Sequence, residues 1–84
     1  MTLLLPDWSR TLAALYWRLR AARHCSKPHP STWRRRILAE KKRLLDAGVD
    51  RFELHAVCVF LARGEHSVSG RRALKFLSEK SEQH

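Results

Sequence analysis

Apolar residues recur at every third or fourth position along most of this chain, the period of a helix that buries one face. Trp8, Leu12, Leu15, Leu19 and Ala22 form one such stripe and predict helix 1 over 7–23, with Asp7 as its N-cap and Pro6 ahead of it. The stretch 24–30 breaks the stripe. Pro28 and Pro30 lack backbone donors and push their preceding residues towards extended conformations, which predicts a rigid loop. Helix 2 is expected over 32–47, capped by Ser31 or Thr32 and ended by Gly48. Trp33, Ile37 and Leu44 make one apolar strip on it and Leu38 and Leu45 a second. Helix 3, over 51–62, opens on Asp50 and Glu53, a D-x-x-E form of the capping box. It is apolar nearly all round from Phe52 to Ala62, which places it at the centre of the molecule with Phe60 as a large core side chain. Helix 4, over 70–79, is capped by Ser67 or Ser69 and shows an apolar face of Ala73, Leu74, Phe76 and Leu77.

These elements predict an all-α fold: a small single-domain bundle of about four helices spanning 1–84, helix 3 central, with 80–84 as a frayed tail. Eighty-four residues enclose one core, and folding at this length buries about 60–65% of the unfolded surface. The opening Met-Thr-Leu-Leu-Leu-Pro lacks a basic start and is cut short by Pro6, Asp7 and Arg10, so neither a signal peptide nor a membrane span is expected. Two cysteines, Cys25 and Cys58, are too few for a disulfide scaffold, and a cytoplasmic location with free thiols is the expectation.

Charge changes the picture. The chain carries +9 overall, and residues 1–45 hold all of it, because 46–84 balance six Lys/Arg against six Asp/Glu. The candidate binding residues are Trp17, Arg18, Arg20 and Lys27, followed by Arg34, Arg35, Arg36, Lys41, Lys42 and Arg43. Arg35, Arg36, Lys42 and Arg43 point away from both strips of helix 2, with Asp46 as the one acid expected on that face. Arg34 and Lys41 project between the strips, where their stems cover apolar surface and their heads reach water. A one-sided basic field of this kind attracts polyanions, and Arg in particular forms bidentate bonds with phosphate or carboxylate. Trp17 lies opposite the main stripe of helix 1. Either it packs against another helix through Ala13 and Ala21, or it stands exposed among cations, ready to stack on a base or anchor in a partner.

Other chemistry has less to recommend it. Cys25 and His29 stand in C-x-x-x-H spacing and His55 and Cys58 in H-x-x-C spacing, a set that could close a Zn site, although no known finger pattern pairs these spacings. Cys58 lies in an apolar run, where a free cysteine fills core, so no metal or other cofactor is expected. With no Gly-rich phosphate loop, nucleophile elbow or paired carboxylates, no enzyme activity is expected either. The string Phe60-Leu61-Ala62-Arg63-Gly64-Glu65-His66-Ser67-Val68-Ser69 resembles a helix junction of winged helix-turn-helix repressors. The resemblance covers ten residues, and the recognition helix and wing of those families find no counterpart in the seven residues after Leu77. With helix 4 as the recognition helix, Arg71, Arg72 and Lys75 would face DNA, but a turn over 63–69 exceeds the three or four residues of that motif.

Two functions fit these features. One is a small basic nucleic-acid-binding protein, DNA being the expected target, that grips phosphates through helices 1 and 2 as an accessory or regulatory factor. The other is a protein-interaction module, such as a phage- or mobile-element-type inhibitor, that docks on an acidic surface of a larger complex. A membrane partner is not expected, because the apolar stripes are consumed by the core.

Overall fold

The computed structural model describes residues 5–22 and 29–82. A 3-10 turn, Asp7–Ser9, leads into α1 (Arg10–Ala22), followed by α2 (Pro30–Asp46), α3 (Arg51–Arg63) and α4 (Val68–Glu82). Among the described residues there is no strand, and the fold is all-α. No described helix is long and apolar enough to cross a membrane. The proline loop expected over 24–30 lies, up to residue 28, outside the described residues.

Local chemistry explains where each helix starts and stops, and it departs from expectation at three helix starts and one helix end. Asp7 makes no capping bond. Ser9 instead bonds back to the Pro6 carbonyl through its N–H (2.9 Å) and its hydroxyl (2.6 Å), tightening the entry into a 3-10 turn before α1 begins. α2 is capped by His29 rather than by Ser31 or Thr32. Pro30 takes the first helical position, where its fixed φ is pre-organised and its missing N–H costs nothing, and His29 Nδ1 accepts the Ser31 N–H at 3.1 Å. α4 starts at Val68, because the Ser67 hydroxyl accepts the Gly70 N–H at 2.9 Å. The α3–α4 connection is therefore four residues, 64–67, shorter than the 63–69 turn expected. α4 also continues to Glu82 through the stretch read as a frayed tail.

Between α2 and α3 the expected caps are in place. Gly48 adopts φ +97°, its N–H bonds to the Leu45 carbonyl, and the Val49 N–H bonds to the Leu44 carbonyl, both at 3.0 Å. This is the Schellman pattern, and Val49 and buried Leu44 supply its apolar contact. Asp50 follows at once and accepts the Glu53 N–H at 3.0 Å. Lys80 of α4 then bonds to the same carboxylate at 2.7 Å, tying the end of α4 to the start of α3. Lys80 first, and the Glu53 N–H second, hold the Asp50 carboxyl below its ordinary range. At the other end of this pair, Gly70 is needed for a close approach. A Cβ there would fall inside the Gly64 carbonyl.

Helices α1 and α2 pack along each other, α3 and α4 do the same, and α1 also meets α3. The body measures 43 × 31 × 19 Å, and since a helix with its side chains is about 10–12 Å across, it is two helices deep at its thinnest. Leu12 and Leu19, Trp33, Ile37 and Leu44, Leu54, Val57 and Cys58, and Leu77 share one core. α3 supplies four buried side chains, more than any other helix. It is not covered all round, however. Phe52 is 60% exposed, and Val59, Phe60 and Leu61 are half-buried, because a body this thin leaves part of α3 without a neighbour. The fully buried side chains of the core are Leu12 and Val57, not Phe60.

Where α1 meets α3, Tyr16 and Cys58 lie close enough for each to influence the other's ionisation. Burial raises both groups above their ordinary ranges; for Tyr16 the neighbouring thiol adds to the effect, while for Cys58 the Tyr16 hydroxyl and the Lys41 charge work against it.

Truncating Leu12 to Ala should cost about 2–5 kcal/mol in urea unfolding, a large share of the stability of a domain this size. Trp17→Ala, at an exposed site, should change stability by no more than about 0.5 kcal/mol. Gly70→Ala should cost about 1–3 kcal/mol by forcing the 64–67 turn apart.

In a Cys25→Ser background, Cys58 should resist an aromatic disulfide reagent in the native protein and react fully in urea. A raised folded pKa gives stability that is fully present below the unfolded value and is lost as pH rises through the folded one. Thermal melts should therefore fall progressively from about pH 8.5 upward, and Cys58→Ala should flatten the early part of that decline.

Candidate nucleic-acid interface

Trp33 organises the basic surface. It is buried in the core, yet its ring carries two guanidinium groups, Arg18 from α1 at 5.4 Å and Arg36 from α2 at 4.9 Å from the centroid. The pairing follows from helical spacing. Arg36 is one turn beyond Trp33 on α2, and Arg18 stands on the flank of α1 that carries Ala22 towards the core. A cation over an indole face is held by the ring quadrupole, which here draws cations from two helices to one ring.

The rest of α2 extends that charge. Arg34, Arg35 and Lys42 are exposed, and Lys42 follows Arg35 by two helical turns on the outermost face. Arg18, Arg34, Arg35, Arg36 and Lys42 meet no carboxylate among the described residues, where Arg43 and Lys80 are the two Lys/Arg side chains that do. Five unneutralised cations thus lie on one helix pair.

The remaining expected site residues are placed differently. Arg43 forms a bidentate pair with Glu40, both bonds 2.7 Å, so Asp46 is not the sole acid available to this surface. The Glu40 side chain is only 10% exposed, and the Arg43 hydrogen bond holds its carboxyl below the ordinary range against the opposing effect of burial. Arg20 turns to the opposite flank of α1, where its guanidinium donates to the Leu61 carbonyl of α3 at 3.2 Å. There it meets the negative end of the α3 dipole. Lys41 is half-buried and its charge reaches Cys58, as expected of a side chain lying along the core edge. Lys27 lies outside the described residues.

Trp17 is 69% exposed. Arg10, Ala13, Ala14, Arg20 and Ala21 are its neighbours on the helix surface by spacing, so a flat indole sits above small side chains with cations at the edge. The packed alternative does not occur, because α2 and α3 meet α1 on its other sides.

Sequence reasoning missed the Trp33 cluster and the Glu40–Arg43 pair. The W-x-x-R and E-x-x-R spacings at 33/36 and 40/43 were the available signals. The residues weighed for Zn diverge: His55 is exposed, Cys58 is buried beneath Tyr16, and His29 Nδ1 is occupied in the α2 cap. Cys25 lies outside the described residues, among which no group of three or more His, Cys, Asp and Glu could hold a metal ion.

The second half also carries exposed cations, Arg63, Arg71, Arg72 and Lys75, although its net charge is zero. Two of its acids, Asp50 and Glu53, are drawn to Lys80 at 2.7 and 4.0 Å, away from these arginines in sequence. Compared with known protein families, curated proteins and solved structures, the chain matches none.

Proposed function

We propose that this protein binds nucleic acid, principally through phosphate, on the face formed by α1 and α2. The supporting observation is the convergence of Arg18 and Arg36 on Trp33, with Arg34, Arg35 and Lys42 exposed round the rest of α2, none of the five having a carboxylate partner among the described residues. Like charges on neighbouring turns of a helix repel one another, and a polyanion relieves that repulsion while its condensed counterions are released. Arg predominates in the cluster, which suits bidentate contact with phosphate oxygens. Such contacts position a protein on a strand without reading its sequence. Trp17, exposed on the outward side of α1, adds a stacking platform suited to unpaired bases.

The competing function, docking on an acidic protein, draws on the same charges. Salt and substitution separate the two. With five phosphates engaged, the logarithm of the affinity for duplex DNA should fall with the logarithm of salt at a slope of about −4.5. Replacing Arg35 and Lys42 by Gln should lower that slope by about 2 and weaken all DNA sequences alike. Trp17→Ala should weaken single-stranded DNA by about 1–3 kcal/mol and duplex DNA far less. Undetectable binding to duplex and single-stranded DNA and RNA at low salt would refute the proposal and leave these charges as the steering surface for a protein partner.

A further inference from the structure

The other helix pair carries a surface of different character. Between α3 and α4 runs an open groove of about 460 Å³. Its floor is apolar: Phe52, Ala56 and Val59 from α3, Ala73 and Phe76 from α4. Phe52 is one of the most exposed apolar side chains among the described residues, and Phe76 is also exposed. Folding has therefore left two aromatic rings in water on either side of one cleft, at a place where a third helix would complete the packing.

The surroundings of this floor are cationic. Arg63 and Arg72 line the groove itself. At the rings, the Arg51 guanidinium lies 4.8 Å from the centroid of Phe52, and the Lys80 ammonium lies 5.7 Å from that of Phe76. Asp50 and Glu53 pair with Lys80 and offset its charge, and exposed Glu65 and Glu79 stand near the two ends of the groove. The positive charge on the groove itself is therefore that of Arg63 and Arg72, which meet no carboxylate among the described residues. Positive charge at the rim excludes one occupant, a second copy of this chain presenting the same face, because the two rims would repel. It selects another, a helix with apolar side chains on one stripe and carboxylates beside it.

We infer that the α3/α4 groove is the docking site for an acidic amphipathic helix of a partner protein. The apolar stripe of that helix lies over Ala56, Val59 and Ala73 between the two Phe rings. Its carboxylates reach Arg63 and Arg72. From Phe52 to Arg63 the groove follows α3 for about three turns, so a helix of about 14 residues spans it with roughly one residue to spare at each end. This site is separate from the α1/α2 face, and it stands whether or not that face binds nucleic acid.

The test uses the full chain and a fluorescent synthetic helix of about 14 residues, Leu at i, i+3, i+4, i+7 and onward with Glu at the flanking positions. Two controls have Lys in place of Glu, and the same composition in scrambled order. The Leu/Glu helix should bind at least about tenfold more tightly than either control. Phe52→Ser and Arg72→Glu should each weaken it about tenfold or more, with the helical circular dichroism signal unchanged, since both side chains are exposed. Arg35→Gln with Lys42→Gln should leave it within about twofold. Amide shifts on titration should concentrate at Ala56, Val59, Ala73 and Phe76. Absence of binding, equal binding of the scrambled helix, or insensitivity to Phe52→Ser would overturn the inference. So would loss of duplex DNA binding, rather than of peptide binding, in the Phe52→Ser and Arg72→Glu variants, which would make α4 a nucleic-acid contact instead.

Discussion

The position of every surface in this molecule depends on the crossing of α1 and α3. Each of these helices belongs to a tightly packed pair, and their meeting turns two pairs into one body. Tyr16 lies over Cys58 at this junction, Leu19 and Leu61 pack beside them, and Arg20 closes the edge by donating to the Leu61 carbonyl. The contact is small, but it combines apolar burial with a directional bond from Arg20, so it specifies orientation as well as adhesion. Four residues, 47–50, connect the pairs on the other side and perform two tasks at once. They end α2 with a Schellman turn and cap α3 through Asp50. A connection that short leaves the pairs little freedom to reorient.

The thinness of the body has a second effect. A domain of 84 residues has too little apolar surface to surround one helix on all sides and still bury the faces of the other three. The core settles on Leu12, Leu44, Leu54 and Val57, while Trp17, Leu38, Phe52 and Val68 remain largely exposed. Isolated exposed apolar residues are ordinary in proteins of this size. Here the shortage leaves Phe52 in water beneath the Arg51 guanidinium and Trp17 on the outward side of α1.

The helices and most of their ends were legible because they depend on neighbours in sequence. Gly48 ends α2, Asp50 caps α3 and Ser67 caps α4 by interactions confined to a few residues. The α2 start was not legible in the same way, since two hydroxyl residues follow Pro30 and the rarer His29 cap was masked by them. Exposure was harder. Phe52 and Phe60 sit in one apolar run, and nothing within that run says which flank another helix will cover. The two readings of Trp17 differed by a question of the same kind, decided by where α2 and α3 lie. Charge was legible as a total but not as a surface. Adjacent in the sequence pattern, Arg18 and Arg20 part to opposite flanks of α1, and Arg43 is neutralised by an acid three residues away whose reach depends on its rotamer.

Gly70 rests directly on the Gly64 carbonyl, and Lys80 ties the far end of α4 to the cap of α3. The α3/α4 pair is thus tied at both ends, which restrains the width of the cleft between its Phe rings. A ligand entering such a cleft finds walls already set, so the ordering entropy of association falls almost wholly on the ligand. Affinity at this site should then track how helical the incoming segment is before it arrives, and selectivity among partners becomes a property of their own secondary structure as much as of their sequence.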